Sequence, residues 1–425
     1  MSATADLLAF AGARHCLGAT VRPVAIRLLG DTLAVGAAGA NAPGADAILT
    51  AARAMGAGAA ARLIGTAERL PAPGAAFVNG YRIHCLEWDA VHEPAVVHAM
   101  SVVTAALGAA IDRKGGCDPE EALVALAIGV DIASGLGIAA DSALSFFRPA
   151  TAGVIGAALA VARIDGAPLE HALGLAYSSA AGTMQAHVEG SITLPFQVAN
   201  AARAAVTASD LAKAGFTAPL DPLEGPFGYF RLIDRGDLSR YTSELGQGWR
   251  IAEISTKPFP SGRASHAALG ALQGLAGQMV ERIELACPPL IHRLVGRPYK
   301  ADMTPAYARL CLPFLVALML TDGRIDPRRF TPEDFADPAL AALAGKVALV
   351  ADGNDDPNAL FPQELRVTVG GVTQIIAVPH TLGSPDAPLS SDQARAKLDL
   401  AREFAPTGHD PRLFTDPLAY FTDPT

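Results

Sequence analysis

The chain is short of charge. Only 18% of its 425 residues are charged, and 42 acidic against 33 basic residues leave a net charge of −9. That balance argues against a nucleic-acid surface and gives no broad attraction for anions. An anionic substrate must be held by a few local Arg and Lys residues. Cysteines are few as well: Cys16, Cys85, Cys117, Cys287 and Cys311 lie far apart, with no CxxC pair. This argues against a zinc knuckle or an iron–sulfur cluster and suits a reducing compartment. No GxGxxG follows a strand pattern, and there is no GxxxxGK[ST], so nothing supports nucleotide binding. The absence of a GxSxG elbow argues against a serine hydrolase. MSATADLLAFAGARH lacks the basic start and apolar core of a signal peptide. Apolar stretches such as Ala150 to Ala162 are too short and too rich in Gly and Ala to span a bilayer. The expectation is a cytoplasmic, soluble protein with no membrane and no nucleic acid among its partners.

Apolar residues, by contrast, are abundant. At 51% hydrophobic, the chain can bury a large core, and its length allows two or three domains. Asp31 to Ala40, Ser101 to Arg113, Glu120 to Ala139 and Val198 to Ala214 carry apolar positions three and four apart, the period of a helix. DPEEAL (Asp118 to Leu123) reads as a helix start, with Asp as cap and Pro in the first turn. Near residue 255 the pattern changes. Gln278 to Ala286, Lys346 to Ala351, Glu364 to Val369 and Val372 to Val378 read as strands, and Gly370-Gly371 as a hairpin turn. Helices are expected at Ala264 to Val280 and Thr304 to Leu320, and again from Ser391. The fold class is mainly α with an α+β second domain. The expected division is a helical domain over 1–255 that regains 388–425, and an α+β lid over 256–387. Such a pair leaves a cleft at the junction.

The densest chemistry lies in NGYRIHCLEWDAVHEPAVVHAM, Asn79 to Met100. Three of the ten histidines, His84, His92 and His98, fall here beside Glu87, Asp89 and Glu93. In a sequence so poor in charge, this crowding points to a loop that carries acid–base groups into a cleft. A solvated loop between two helices is the alternative. If helix persists, His84, Glu87 and Trp88 share one face. Pro94 breaks the helix, and His98 precedes an apolar run, near a helix N-terminus that favours the neutral imidazole. HEPAVVH is not HExxH, so no metal site is expected.

A second constellation is TKPFPSGRASHAALG, Thr256 to Gly270. Prolines and glycine hold Lys257, Arg263 and His266 on a rigid turn before a helix. Basic residues there oppose the helix dipole and make sense if an anion binds. An exposed basic turn is the alternative. His187 and Glu189, in AHVEGSITLPF, either line a cleft or belong to an ordinary helix connection. Arg148, in SFFRPATAG, either binds a carboxylate or pairs with a core acid.

Four segments in order carry a resemblance. VNGYRIHCLEWDAVHEPAVVH is similar to NGxxxHxLDFDD…HP. EGSITLPFQVANAARAAVTASDLAKAGFTAP is similar to a segment ending AAxLAxxGFTGP. KPFPSGRASH is similar to KPYPxCRxxH, and ADMTPAYARLCLPFLVALMLTDGRI to a lid helix with FSxxYxVAxAL. Together they resemble the MmgE/PrpD family over nearly the whole chain. That family includes 2-methylcitrate dehydratase, cis-aconitate decarboxylase and iminodisuccinate epimerase. The resemblance implies a helical domain closed by an α+β lid, a homodimer, and neither metal nor organic cofactor. His98, Lys257, His266 and Asp89 fall on family positions, although Ala99 replaces the proline that usually follows the histidine, and Glu87 stands where the family usually has aspartate. Arg148 stands where members acting on aconitate-like substrates have histidine, Leu194 where they have lysine, and Gln197 where they have histidine. Gly262 replaces a further histidine of the decarboxylase.

The resemblance implies a reaction that removes or delivers a proton next to a carboxylate. Such a step needs fixed positive charge and a positioned base. His98 is the expected base or acid, and Lys257 the opposing group or an anchor. Glu87 and Asp89 orient His84 or His98, or hold bound water. Arg148 and Arg263 are the expected carboxylate clamps, with His266 and His92 beside the substrate. The expected activity is dehydration or epimerisation of a small di- or tricarboxylate. Cis-aconitate decarboxylation and non-catalytic carboxylate binding are the alternatives.

Overall fold

The computed structural model describes residues 2–356 and 358–423. Its first part is a large helical domain made from small residues. Helices Ala72–His84, Ala99–Lys114, Pro119–Ala139, Gly153–Asp165 and Thr193–Lys213 pack on one another as its centre. Close packing depends on residues without bulk. A Cβ on Gly156 would lie 2.2 Å from the Gly129 carbonyl oxygen, so two helix backbones cross where neither carries a side chain. Asp118 accepts from the backbone N–H groups of Glu120 and Glu121 at 3.0 Å each, capping Pro119–Ala139 as DPEEAL predicts. This helix is 21 residues long and apolar enough to cross a membrane by length and composition, contrary to the expectation from sequence. It is a core helix, buried among its neighbours, and its Asp131 accepts from Tyr241 Oη and the Arg250 N–H. Among the described residues of this part, strand is limited to a two-residue ladder, Ala61–Arg62 with Arg69–Leu70.

The C-terminal domain holds a mixed four-stranded sheet in the order Val347–Ala351, Val280–Cys287, Gln363–Val369, Val372–Val378. The first pair is parallel and the other two antiparallel. The parallel pair needs a crossover, and helices Pro289–Val295, Leu312–Asp322 and Pro338–Ala344 supply it. Register Val369↔Val372 closes the expected hairpin, with φ of 58° and 75° at Gly370 and Gly371. Ile283, Leu285, Leu365 and Val367 cover the sheet's buried face, and the Leu312–Asp322 helix packs into the same core.

Two expected helices are shorter than the sequence implies. Helix His266–Leu272 stops after two turns, and the strand starts at Val280. Thr304 to Leu320 breaks into Pro305–Ala308 and Leu312–Asp322. At the break the Arg309 carbonyl accepts from the Gly262 N–H at 3.0 Å, and Cys311 bridges to Gly296. The helix Ser391–Phe404 packs on Val21–Ala38, where Lys397 pairs with Asp31 at 2.5 Å.

Candidate active site

The helix Ala72–His84 ends at His84, so the helical face expected through Trp88 does not form. Glu87 instead adopts φ 53°, a left-handed conformation that side chains disfavour. Lys257 holds it there: Nζ donates to the Glu87 carbonyl at 2.9 Å and to Oε2 at 3.2 Å. Residues 89–93 then run beside 255–257. Val91 and Ser255 exchange backbone hydrogen bonds at 3.0 and 2.9 Å. His98 is the N-cap residue of Ala99–Lys114, with no side-chain cap bond.

Asp89 is the hub of the site. Its fully buried Oδ2 accepts from His84 Nδ1 at 2.9 Å, from His98 Nδ1 at 3.0 Å and from Ser101 Oγ. Lys257 Nζ lies 3.8 Å from the other oxygen. An ionised carboxylate only accepts, so both imidazoles carry hydrogen on Nδ1. Their Nε2 atoms are left for chemistry. His84 Nε2 has no hydrogen-bond partner and lies 3.6 Å from Glu87 Oε1. The rings meet edge to face, with centroids 4.8 Å apart.

The two histidines are tuned in opposite directions. Burial works against a charge on His84, but Asp89 and then Glu87 outweigh it, and its pKa rises. At His98 burial prevails over the pull of Asp89, the Lys257 ammonium adds to it, and the pKa falls. Burial would raise both carboxyls. Lys257 outweighs it at Glu87 and holds the pKa down to about 2, while His84 and His98 hold Asp89 well below the carboxylate range. With His84 protonated and His98 neutral, Asp89, Glu87, Lys257 and His84 balance.

Both imidazoles open on a cleft between the domains. Glu87, Phe147, Leu194, Gly262, Leu294 and Leu310 are among its other walls, and it encloses about 70 Å³. His187 also lines it, with a pKa lowered to about 4 by burial and the Arg297 charge. Glu189 is exposed and bonded to Gln185 instead. A larger groove of about 470 Å³ has Thr256 among its walls. Its buried charges, Asp31 and Lys397, are paired with each other, and neither imidazole reaches it.

The remaining expected residues are placed differently. Lys257 is fully buried and does not line the cleft, so His84 rather than Lys257 stands beside His98 there. Arg148 and Arg263 reach the cleft wall, but both are already neutralised. Arg148 pairs with Asp234 at 2.5 Å and donates to the Ser142 carbonyl at 2.7 Å. Arg263 pairs with Glu93 at 2.7 Å and donates to the Leu382 carbonyl at 2.6 Å. Neither His92 nor His266 comes to the cleft. His92 binds Glu253 at 2.8 Å and accepts from the Ala95 N–H, which braces the loop. His266 lies against Ser261 at 3.1 Å, its pKa lowered well below the ordinary value by burial and the Arg263 charge. The sequence reading missed Ser101, Asp234 and Arg309. Arg309 is signalled only as a lone cation inside the apolar stretch AYARLCLPFL.

His84, Asp89 and His98 also converge as three possible metal ligands, within 4.8 Å of one another. Sequence spacing did not lead to that expectation; the fold brings them together. The Lys257 ammonium beside Asp89 and the three donors already on Oδ2 oppose a dication there.

A helical body joined to an α+β domain, with a carboxylate-anchored imidazole pair between them, has the architecture of an acid–base site. Comparison with known proteins agrees over both parts. The MmgE/PrpD N-terminal domain matches residues 13–241 and the MmgE/PrpD C-terminal domain residues 259–409. The chain belongs to the MmgE/PrpD family of enzymes. Among curated relatives, the cis-aconitate decarboxylase-like protein oryM of Aspergillus oryzae is 25% identical over 410 residues, covering 87% of this chain and 84% of that protein. Cis-aconitate decarboxylase of Homo sapiens is 26% identical over 301 residues, 66% of this chain and 62% of its own. The Mus musculus enzyme is 26% identical over 316 residues, 68% and 63% respectively. The chain thus spans less than two thirds of the two mammalian proteins.

Proposed function

We propose that the protein is a cofactor-independent lyase or isomerase that moves a proton next to a carboxylate of a small di- or tricarboxylate. One observation carries the reading: a single carboxylate oxygen holds two imidazoles whose pKa values move apart. Environments that separate the pKa values of two neighbouring groups divide them into acid and base. Neutral His98 takes the proton through Nε2. Asp89 fixes its tautomer and stabilises the imidazolium that forms. Protonated His84 faces the same cleft and gives a proton, either to a departing hydroxyl or back to carbon. The first outcome is dehydration and the second is epimerisation.

The names of the curated relatives favour a second reading, decarboxylation of cis-aconitate. There carbon dioxide leaves first and an imidazolium protonates the carbanion. Arg148, Leu194 and Gly262, where the family resemblance places two histidines and a lysine, count against it.

Proton–deuterium exchange followed by NMR, over a panel of di- and tricarboxylates with and without a chelator, separates these cases. The proposal expects exchange at a carbon next to a carboxylate, undiminished by chelation. Carbon dioxide release from cis-aconitate without exchange elsewhere would establish the second reading. Binding with no exchange on any compound would make the protein a non-catalytic member.

A further inference from the structure

Three buried cations around the cleft are answered by carboxylates. Arg148 has Asp234, Arg263 has Glu93 and Lys257 has Glu87. Arg309 is just as deeply buried, at 3% exposed, yet its side chain makes no hydrogen bond or ion pair with any described residue. One face of the guanidinium stacks on Phe330, 4.7 Å from the ring centroid. Its edge lines a small cavity together with His84, Glu87, Leu194 and Leu310, and the same four residues line the main cleft. The two spaces therefore adjoin across the acid–base cluster.

A buried cation without a partner is costly for the free protein. A bound anion offsets that cost, and a guanidinium fork fits a carboxylate. Arg309 follows the short helix Pro305–Ala308 at the break before Leu312–Asp322, where its carbonyl accepts from the Gly262 N–H. Leu194, the position where the family resemblance places a lysine, lies in the same cavity wall.

We propose that Arg309 is the carboxylate receptor of the site and sets its preference for substrates with more than one carboxylate. One carboxylate of the substrate docks on the guanidinium, between Leu194 and Leu310, while the carbon that exchanges its proton faces His98. This rests on the polycarboxylate reading above and assigns its binding charge to Arg309 rather than to Arg148 or Arg263.

Calorimetric titration of the full chain with tricarballylate, succinate and butyrate tests it, using wild type, Arg309→Met and Arg309→Gln. The glutamine variant keeps much of the length without the charge and serves if methionine does not fold. Either substitution should weaken tricarballylate binding on the order of 100-fold and leave butyrate nearly unchanged. The melting temperature of the ligand-free variant should hold or rise, because no partner is orphaned; a purely structural arginine would lower it. Tricarballylate bound equally well by a folded variant, or not bound by wild type, overturns the proposal. Exchange by wild type, measured separately, decides the reaction: weakened binding in the variants with no exchange in wild type leaves the receptor standing and removes the proton-transfer reading.

Discussion

The two sides of the cleft handle charge in opposite ways. On the helical side every ionised group near the site is answered: Asp89 by two imidazoles and a hydroxyl, Arg148 by Asp234, Glu87 by Lys257 from the connecting segment. On the α+β side Arg263 is answered by Glu93 from the helical loop, whereas Arg309 meets no carboxylate among the described residues. A closed hydrogen-bonded cluster suits proton transfer, because its geometry and pKa values are set before substrate arrives. An open cation suits recognition, because its partner is the substrate. Variants of the Asp89–imidazole cluster should therefore act on kcat, and those at Arg309 on affinity.

The largest effect expected from this contrast is at Asp89. Asp89→Asn keeps the shape but removes the charge that fixes both tautomers and raises His84. Steady-state kinetics should show kcat lower by about 10²–10⁴-fold, with KM changed far less. A KM effect exceeding the kcat effect would break the division between the two sides. A smaller effect on rate, but a clear one on stability, is expected from Arg148→Met. It strands Asp234 in the interior, and denaturant unfolding should show a loss of about 3–5 kcal/mol. The folded fraction should keep most of its activity. If that variant instead loses activity at full stability, Arg148 is a substrate clamp after all.

Much of this was legible in the sequence. The change from a period of three and four to alternating residues near residue 255 marked the passage from helices to sheet, and Gly370-Gly371 marked the hairpin. Crowding of histidines and acids between His84 and His98 marked the acid–base cluster, because such a run is costly in a chain with so little charge. What sequence could not show was which charges cancel. Asp234 lies 86 residues from Arg148, and Glu93 lies 170 from Arg263. Both arginines looked free for an anion until folding supplied their partners. The same distance effect ended the helix Ala72–His84 at His84. The left-handed turn at Glu87 is held by Lys257, 170 residues away, which no local pattern encodes. Arg309 was hidden for a different reason: the expected continuous helix Thr304 to Leu320 gave no sign of the break at which it sits, buried beside the cluster.

The most direct test of the acid–base pair is the pH dependence of carbon-bound proton exchange, measured in wild type and in His98→Gln. His98 must be neutral to take a proton, so rate is lost as pH falls through its lowered pKa. His84 must be protonated to give one, so rate is lost as pH rises through its raised pKa. The account predicts a bell-shaped profile whose limbs lie on either side of the ordinary imidazole value of about 6.5. In His98→Gln the rate should fall by about 10²–10⁴-fold, and the acid limb should disappear. A near-normal rate in that variant, or an acid limb that stays where it was, would contradict it.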